Sequence, residues 1–284
     1  MTINSAIAER ARANQPLTAA ELDELATADI LSLGMLADEV RRARVGDVVT
    51  FVRVVEAGAA GAASAAGAEV RIDKLPDTLA EAVSAVEQAK TVAGSCLVSG
   101  FSLADIVDRG WGNLADVLRQ LKQAGLAAIV EAPLDRLADA DAALQACQDA
   151  GLPVQCLSLQ KPNAASRTPL LLKARTLAAR FPWLTTIAPL SREQSVAVPT
   201  TGYDDVRAVA LARLALPAVP TVQVDWAQYG PKLAQVALTF GANDLDRVSI
   251  TDDESLGRRR TSLEDVTRNI AAAGFQPRER TSAA

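Results

Sequence analysis

The chain has no histidine, and that absence alone closes several routes to function. It excludes Ser–His–Asp and Cys–His nucleophilic catalysis, imidazole metal sites and the usual acid–base group near neutral pH. Cysteine is scarce. Cys96, Cys147 and Cys156 are an odd number at wide spacing, which fits neither a disulfide framework nor a zinc pattern. Aromatic residues make up only 4%, so a core must be built mostly from Ala, Leu and Val, which a 49% hydrophobic content permits. Long apolar runs are missing: even Ala208–Pro217 is interrupted by Arg213 and falls short of the roughly 20 residues of a membrane span. Met1–Ala13 is polar and charged where a secretory signal needs an apolar stretch, so a cytoplasmic location is expected. Positive charge is not in excess either. Against 34 Asp and Glu stand 29 Lys and Arg, and the net charge of −5 argues against a nucleic-acid or anionic-membrane partner.

What is present is alternation. Thr18 and Glu21 have the spacing of a capping box, and Leu22, Leu25, Ile30, Leu33, Leu36 and Val40 follow at helical intervals. Residues 1–46 therefore read as a helical extension, with Gly46 as its stop before a strand at Val48–Val55. Further strand-like runs fall at Glu69–Ile72, Cys96–Ser99, Ala127–Val130, Val154–Leu157, Thr185–Ala188, Thr221–Val224 and Arg247–Ile250. Helix-like segments lie between most of them: Leu79–Lys90, Leu114–Gln123, Ala138–Ala150, Leu170–Arg180, Asp204–Leu216 and Lys232–Phe240. About eight strands alternating with helices predict a parallel β/α barrel of the TIM type over residues 47–284, shortened or partly open. An open doubly wound sheet fits the pattern nearly as well. The crossover Ala57–Ala68, almost all Ala and Gly, sits at the minimum length for a parallel connection. It reads as a frayed Ala-rich helix or a flexible linker. The basic clusters Arg41–Arg42–Arg44 and Arg258–Arg259–Arg260 read as a solvated helix end and an exposed loop rather than as phosphate sites.

Two blocks of sequence carry a resemblance. The first runs Ala28-Asp29-Ile30-Leu31-Ser32-Leu33-Gly34 through Leu36–Arg42 to Gly46-Asp47-Val48-Val49-Thr50-Phe51. The second runs Pro199-Thr200-Thr201-Gly202-Tyr203-Asp204-Asp205-Val206-Arg207, then Val219–Trp226, Gly230–Leu238 and Phe240–Asp246. Together, with a less specific match at Ala104–Gly125, they resemble the radical SAM menaquinone-biosynthesis group: aminofutalosine synthase, dehypoxanthine futalosine cyclase and the FO synthases. The family-like C-terminal half covers about residues 199–284. In those relatives, the resemblance implies, the first strand leads into a Cys-x3-Cys-x2-Cys loop holding a four-iron, four-sulfur cluster that binds S-adenosylmethionine. Here it leads into the Ala/Gly segment, and no cysteine precedes Cys96. The family's Gly-rich turn is Val130-Glu131-Ala132-Pro133, its His-Pro is Leu190-Ser191-Arg192, and its Gln-x-Ser-Trp is Gln223-Val224-Asp225-Trp226. Its Met-Glu-Glu stretch is Thr251-Asp252-Asp253-Glu254. No cluster, S-adenosylmethionine or metal is therefore expected as cofactor.

Barrel enzymes collect functional groups at the C-terminal ends of their strands. That rule selects Glu131, Lys161, Asn163, Arg192, Glu193, Asp225, Trp226 and Asp252–Glu254. Glu131 and Asp225 are candidates for a catalytic carboxylate pair; ordinary salt-bridge or loop roles stand beside that reading. Gln223 and Trp226 offer an amide and a stacking face to a nucleoside, with Asp225, Glu131 and Arg192 as further ligand-binding candidates; a core or interface role for Trp226 stands against it. Three functions follow. The chain is a non-catalytic partner (a pseudoenzyme) of a radical SAM paralogue in menaquinone biosynthesis, a binding protein or sensor for a futalosine-like nucleoside, or a barrel enzyme repurposed for non-radical chemistry.

Overall fold

A computed structural model describes residues 3–58, 69–193, 200–250 and 262–280. Helices α1 (Ser5–Arg12), α2 (Ala19–Thr27) and α3 (Ile30–Val45) come first. The Thr18 capping box forms as expected: Thr18 N–H donates to Glu21 Oε2 at 2.7 Å, and Glu21 N–H to Thr18 Oγ1 at 3.3 Å. Gly46 ends α3 at φ 71°, a backbone conformation that glycine adopts without strain.

The barrel strands are β1 (Val48–Glu56), β2 (Glu69–Ile72), β3 (Val98–Ser102), β4 (Ala128–Pro133), β5 (Val154–Leu159), β6 (Thr186–Ser191), β7 (Thr221–Asp225) and β8 (Asp244–Ser249). Each pairs in parallel with its neighbour, and the ring closes where β1 meets both β8 and β2. A closed eight-stranded barrel thus replaces the partly open one and excludes the doubly wound sheet. Closure involves only the upper half of β1, where Val54 lies beside Glu69. Along its lower half, Val48–Phe51 pairs instead with β9 (Gln276–Glu279), a strand that its exposed, charged sequence had not suggested.

Outside the ring lie α4 (Leu79–Ala93), α5 (Leu103–Arg109), α6 (Leu114–Ala124), α7 (Ala140–Ala150), α8 (Ala164–Arg180), α9 (Gly202–Ala215), α10 (Trp226–Leu238) and α11 (Ser262–Ala272). Helix α10 breaks at Gly230, so the helical stretch expected from Lys232 restarts at Pro231. The apolar layer between helices and barrel is the core, with Val70, Leu118, Ile129, Leu157, Ile187 and Leu245 all fully buried. Helix α9 is buried from Asp205 to Ala215 apart from the half-buried Arg207, because α2, α3 and α8 pack against it, which explains why its apolar residues are not confined to one face.

The first arginine cluster is a solvated helix end only at Arg42, which is exposed and pairs with Asp38 and Asp47. Arg41 is fully buried, its guanidinium 4.1 Å from the centre of the Phe275 ring and bonded to Gly46 O at 2.8 Å. Arg44 bonds the carbonyls of Arg213 and Leu216, tying α3 to the end of α9. Arg213 is fully buried too, donating to Gly241 O, Pro220 O and Asn243 Oδ1. Burial, with Arg44 and Arg41 nearby, pushes it down to about 9. The second cluster, Arg258–Arg260, and most of the Ala57–Ala68 crossover lie outside the described residues.

Candidate functional site

Barrel interiors are ordinarily filled by bulky branched residues. This one is filled by ion pairs. The pattern that places them is alternation: Glu69 and Arg71 on β2, Gln223 and Asp225 on β7, Asp244 and Asp246 on β8 each point to one face of their strand. In the middle of the barrel Arg71 donates to Glu69 Oε1 at 2.9 and 2.6 Å, and to Asp246 Oδ2 at 2.9 Å and Oδ1 at 3.0 Å. Ser99 Oγ and Gln155 Nε2 also donate to Glu69. Burial would raise the Asp246 carboxyl, but Arg71 outweighs it, and Arg192 and Arg280 add to hold it well below the usual carboxylate range.

Above this layer, at the C-terminal mouth, Arg192 sits between the two expected carboxylates. Its Nε donates to Glu131 Oε2 at 2.8 Å and its Nη1 to Asp225 Oδ2 at 3.2 Å. Burial works against its charge, but the negative groups around it hold Arg192 above the ordinary arginine range. Asp225 has little left to offer: its Oδ1 caps α10 by accepting Gln228 N–H at 2.9 Å, and Arg247 stands 3.7 Å from its Oδ2. Glu131 and Asp225 are brought together, yet as ligands of a shared cation rather than as a free acid and base.

A cavity of about 230 Å³ opens here, lined in part by Arg71, Glu131, Gln160, Arg192, Asp225 and Arg247. Two of its lining residues, Phe101 at φ 65° and Arg247 at φ 57°, hold a left-handed backbone that costs about 1–3 kcal/mol each for such side chains. The other expected residues lie elsewhere. Trp226 begins α10 and packs half-buried against the apolar core. Gln223 is buried one layer down, at the opposite end of the barrel, with its Nε2 2.8 Å from Asp244 Oδ2. Lys161 pairs with Glu193 at the rim, and Asn163 caps α8. Asp252–Glu254 lie outside the described residues.

Sequence reasoning missed Glu69, Arg71, Asp244, Asp246 and Arg280. The signal was the two-residue spacing of charges inside strands, masked at β8 because its start reads as part of a turn.

The thiols do not fit an iron–sulfur cluster. All three cysteines lie in the described residues, Cys96 between α4 and β3, Cys147 on α7 and Cys156 on β5, and no three His, Cys, Asp or Glu residues come together to hold a metal among those described. Burial pushes both Cys147 and Cys156 up to about 12, far from the thiolate such ligation needs.

Residues 175–283 match the family model described as the CofH/MqnC C-terminal region. A 5-amino-6-(D-ribitylamino)uracil–L-tyrosine 4-hydroxyphenyl transferase of Methanocaldococcus jannaschii is 31% identical over 103 residues, 34% of this chain and 28% of that protein. An aminodeoxyfutalosine synthase of Streptomyces coelicolor is 35% identical over 98 residues, 32% of this chain and 25% of that one. The chain thus matches only 28% and 25% of the length of these two relatives. The crystal structure of methylornithine synthase (PylB) superposes over 97% of this chain and 98% of its own, with a TM-score of 0.71 at 13% identity, a likeness of fold. The chain is therefore a closed β/α barrel that resembles the radical SAM menaquinone-biosynthesis group, with residues 175–283 similar to the CofH/MqnC C-terminal region.

Proposed function

We propose that this chain is a cluster-less homologue of futalosine-pathway radical SAM enzymes that serves as a non-catalytic partner subunit in menaquinone biosynthesis. One observation carries the reading: Arg192 sits in the C-terminal mouth and bonds both candidate carboxylates there. A cofactor would have to supply radical chemistry, and the three scattered cysteines cannot hold the cluster. The nucleoside-binding reading rests on the same mouth, but its cavity of about 230 Å³ is below the roughly 300–1,000 Å³ of small-molecule sites. The repurposed-enzyme reading needs a free base, and both oxygens of Asp225 are engaged.

Co-purification from the native host tests the proposal. The tagged chain is expected to bring down a radical SAM enzyme of the futalosine route and to change that enzyme's turnover when added back. A lone monomer without effect on that turnover would remove the partner reading.

A further inference from the structure

The larger cavity is at the wrong end for a barrel enzyme. At the N-terminal face, where barrel residues ordinarily serve stability, the structure encloses about 540 Å³, within the range of small-molecule sites. Its lining residues stand at strand starts: Ala128 opens β4, Val154 opens β5, Thr186 opens β6, Thr221 opens β7 and Asp244 opens β8. The space exists for two reasons. Much of the lining at this level is small (Thr50, Ala127, Ala128, Thr185, Thr186 and Thr221), and β9 takes the pairing edge of lower β1 that β2 takes higher up.

Strand β9 also delivers the floor. Directly after it, the Arg280 N–H bonds Phe51 O at 2.9 Å, and its side chain grips Asp244 with Nε at 2.8 Å and Nη2 at 3.1 Å. Asp244, fully buried, further accepts Thr50 Oγ1 at 2.5 Å and Gln223 Nε2 at 2.8 Å. The amide of Gln223, 4% exposed, is thereby fixed, while its carbonyl oxygen has no donor among the described residues. Among the described residues, Arg280 Nη1 and the hydroxyls of Thr185, Thr186 and Thr221 have no hydrogen-bond partner either. The facing wall is apolar, with Leu97, Pro153 and Val154. At the rim stands Trp183, held by an indole N–H bond to Gln148 Oε1 at 3.3 Å and by the Phe181 ring 5.9 Å away.

The charges on this floor cancel, Arg280 against Asp244, so a charged ligand would find no counter-ion and would be buried at a cost. A flat apolar wall opposite fixed amide and guanidinium groups suits a ring carrying an amide-like edge. We propose that the N-terminal cavity is a binding site for a small, uncharged, planar ligand bearing an amide or equivalent donor–acceptor edge, read by Gln223 and Arg280 and bounded by Trp183.

Three probes share one ring and differ in charge: benzamide, benzoate and benzamidine. Calorimetric titration of the full chain should show saturable binding of benzamide, with the two ions at least about tenfold weaker. Ala127→Phe fills the mouth from an exposed position and should abolish benzamide binding with the melting temperature kept. Gln223→Leu should weaken it by about tenfold or more through loss of the acceptor. Absence of saturable benzamide binding overturns the proposal. So does equal binding of the ions, or binding that survives Ala127→Phe in a folded protein.

Discussion

Arg71 holds two carboxylates from different strands in the middle of the barrel. It is almost wholly buried between Glu69 and Asp246, and its guanidinium forms four hydrogen bonds of 2.6–3.0 Å to their carboxylates. Removing one member of such a group leaves uncompensated buried charge, which costs about 3–5 kcal/mol. Arg71→Met should therefore lower the free energy of unfolding by that amount in urea titration. Replacing Glu69, Arg71 and Asp246 together by Leu, Met and Leu should restore most of it, because no charge is then stranded. Recovery in the triple variant separates an electrostatic role from a merely steric one. The individual charges were legible in the sequence. Their partners were not, since Arg71 and Asp246 are 175 positions apart and meet only when the ring closes.

At the scale of elements, the joint between α9, α10 and β8 is set by one glycine. Gly241 holds φ 107°, and a Cβ there would lie 2.9 Å from Arg213 Cβ. Its carbonyl also accepts Arg213 Nε at 2.8 Å. It lies just past Thr239, and the Ala242 N–H bonds back to Ala237 O at 3.1 Å, so Gly241 both ends α10 and aims β8. Gly241→Ala is expected to cost about 1–3 kcal/mol through strain and overpacking, read as a lowered melting temperature with the far-ultraviolet spectrum unchanged. An unchanged melting temperature would mean the joint can yield. The strands and helices of the barrel were largely legible from their periods. Strand β9 was not, because its Gln-Pro-Arg-Glu sequence has no apolar alternation and it is a strand only through the backbone of β1.

For the whole molecule, the interior charges predict how stability follows pH. The Asp246 carboxyl is held below its unfolded value, near 3.9, so its contribution is fully present above about pH 4 and is lost as pH falls through the folded value. Asp205 acts in the opposite sense: burial raises it, with Asp204 adding, so its protonation favours the folded chain. The Asp246 contribution is the larger because its partner is fully desolvated. Denaturant midpoints should therefore hold between about pH 7 and 5 and fall below about 4. In Arg71→Met the acid loss should shrink, because the Asp246 carboxyl then loses the largest of the charges that hold it low while its burial still pushes it up. A parallel pH profile for the two proteins would show that the central ion pairs do not govern acid stability.

By itself the sequence determined about eight strands alternating with helices, a pattern that a barrel and a doubly wound sheet share, and ring closure chose the barrel. The sequence also closed histidine chemistry, which needs a residue that it does not contain. It placed Glu131, Asp225 and Arg192 at one mouth, because each follows or ends a parallel strand. Only the tertiary structure decided that Arg192 binds both carboxylates, that Gln223 lies in the other half of the barrel and that Trp226 packs half-buried against the core. The physical reason is register. Side-chain direction alternates along every strand, so a shift of one residue or one layer changes which charges meet, and that shift is set by pairing across the ring.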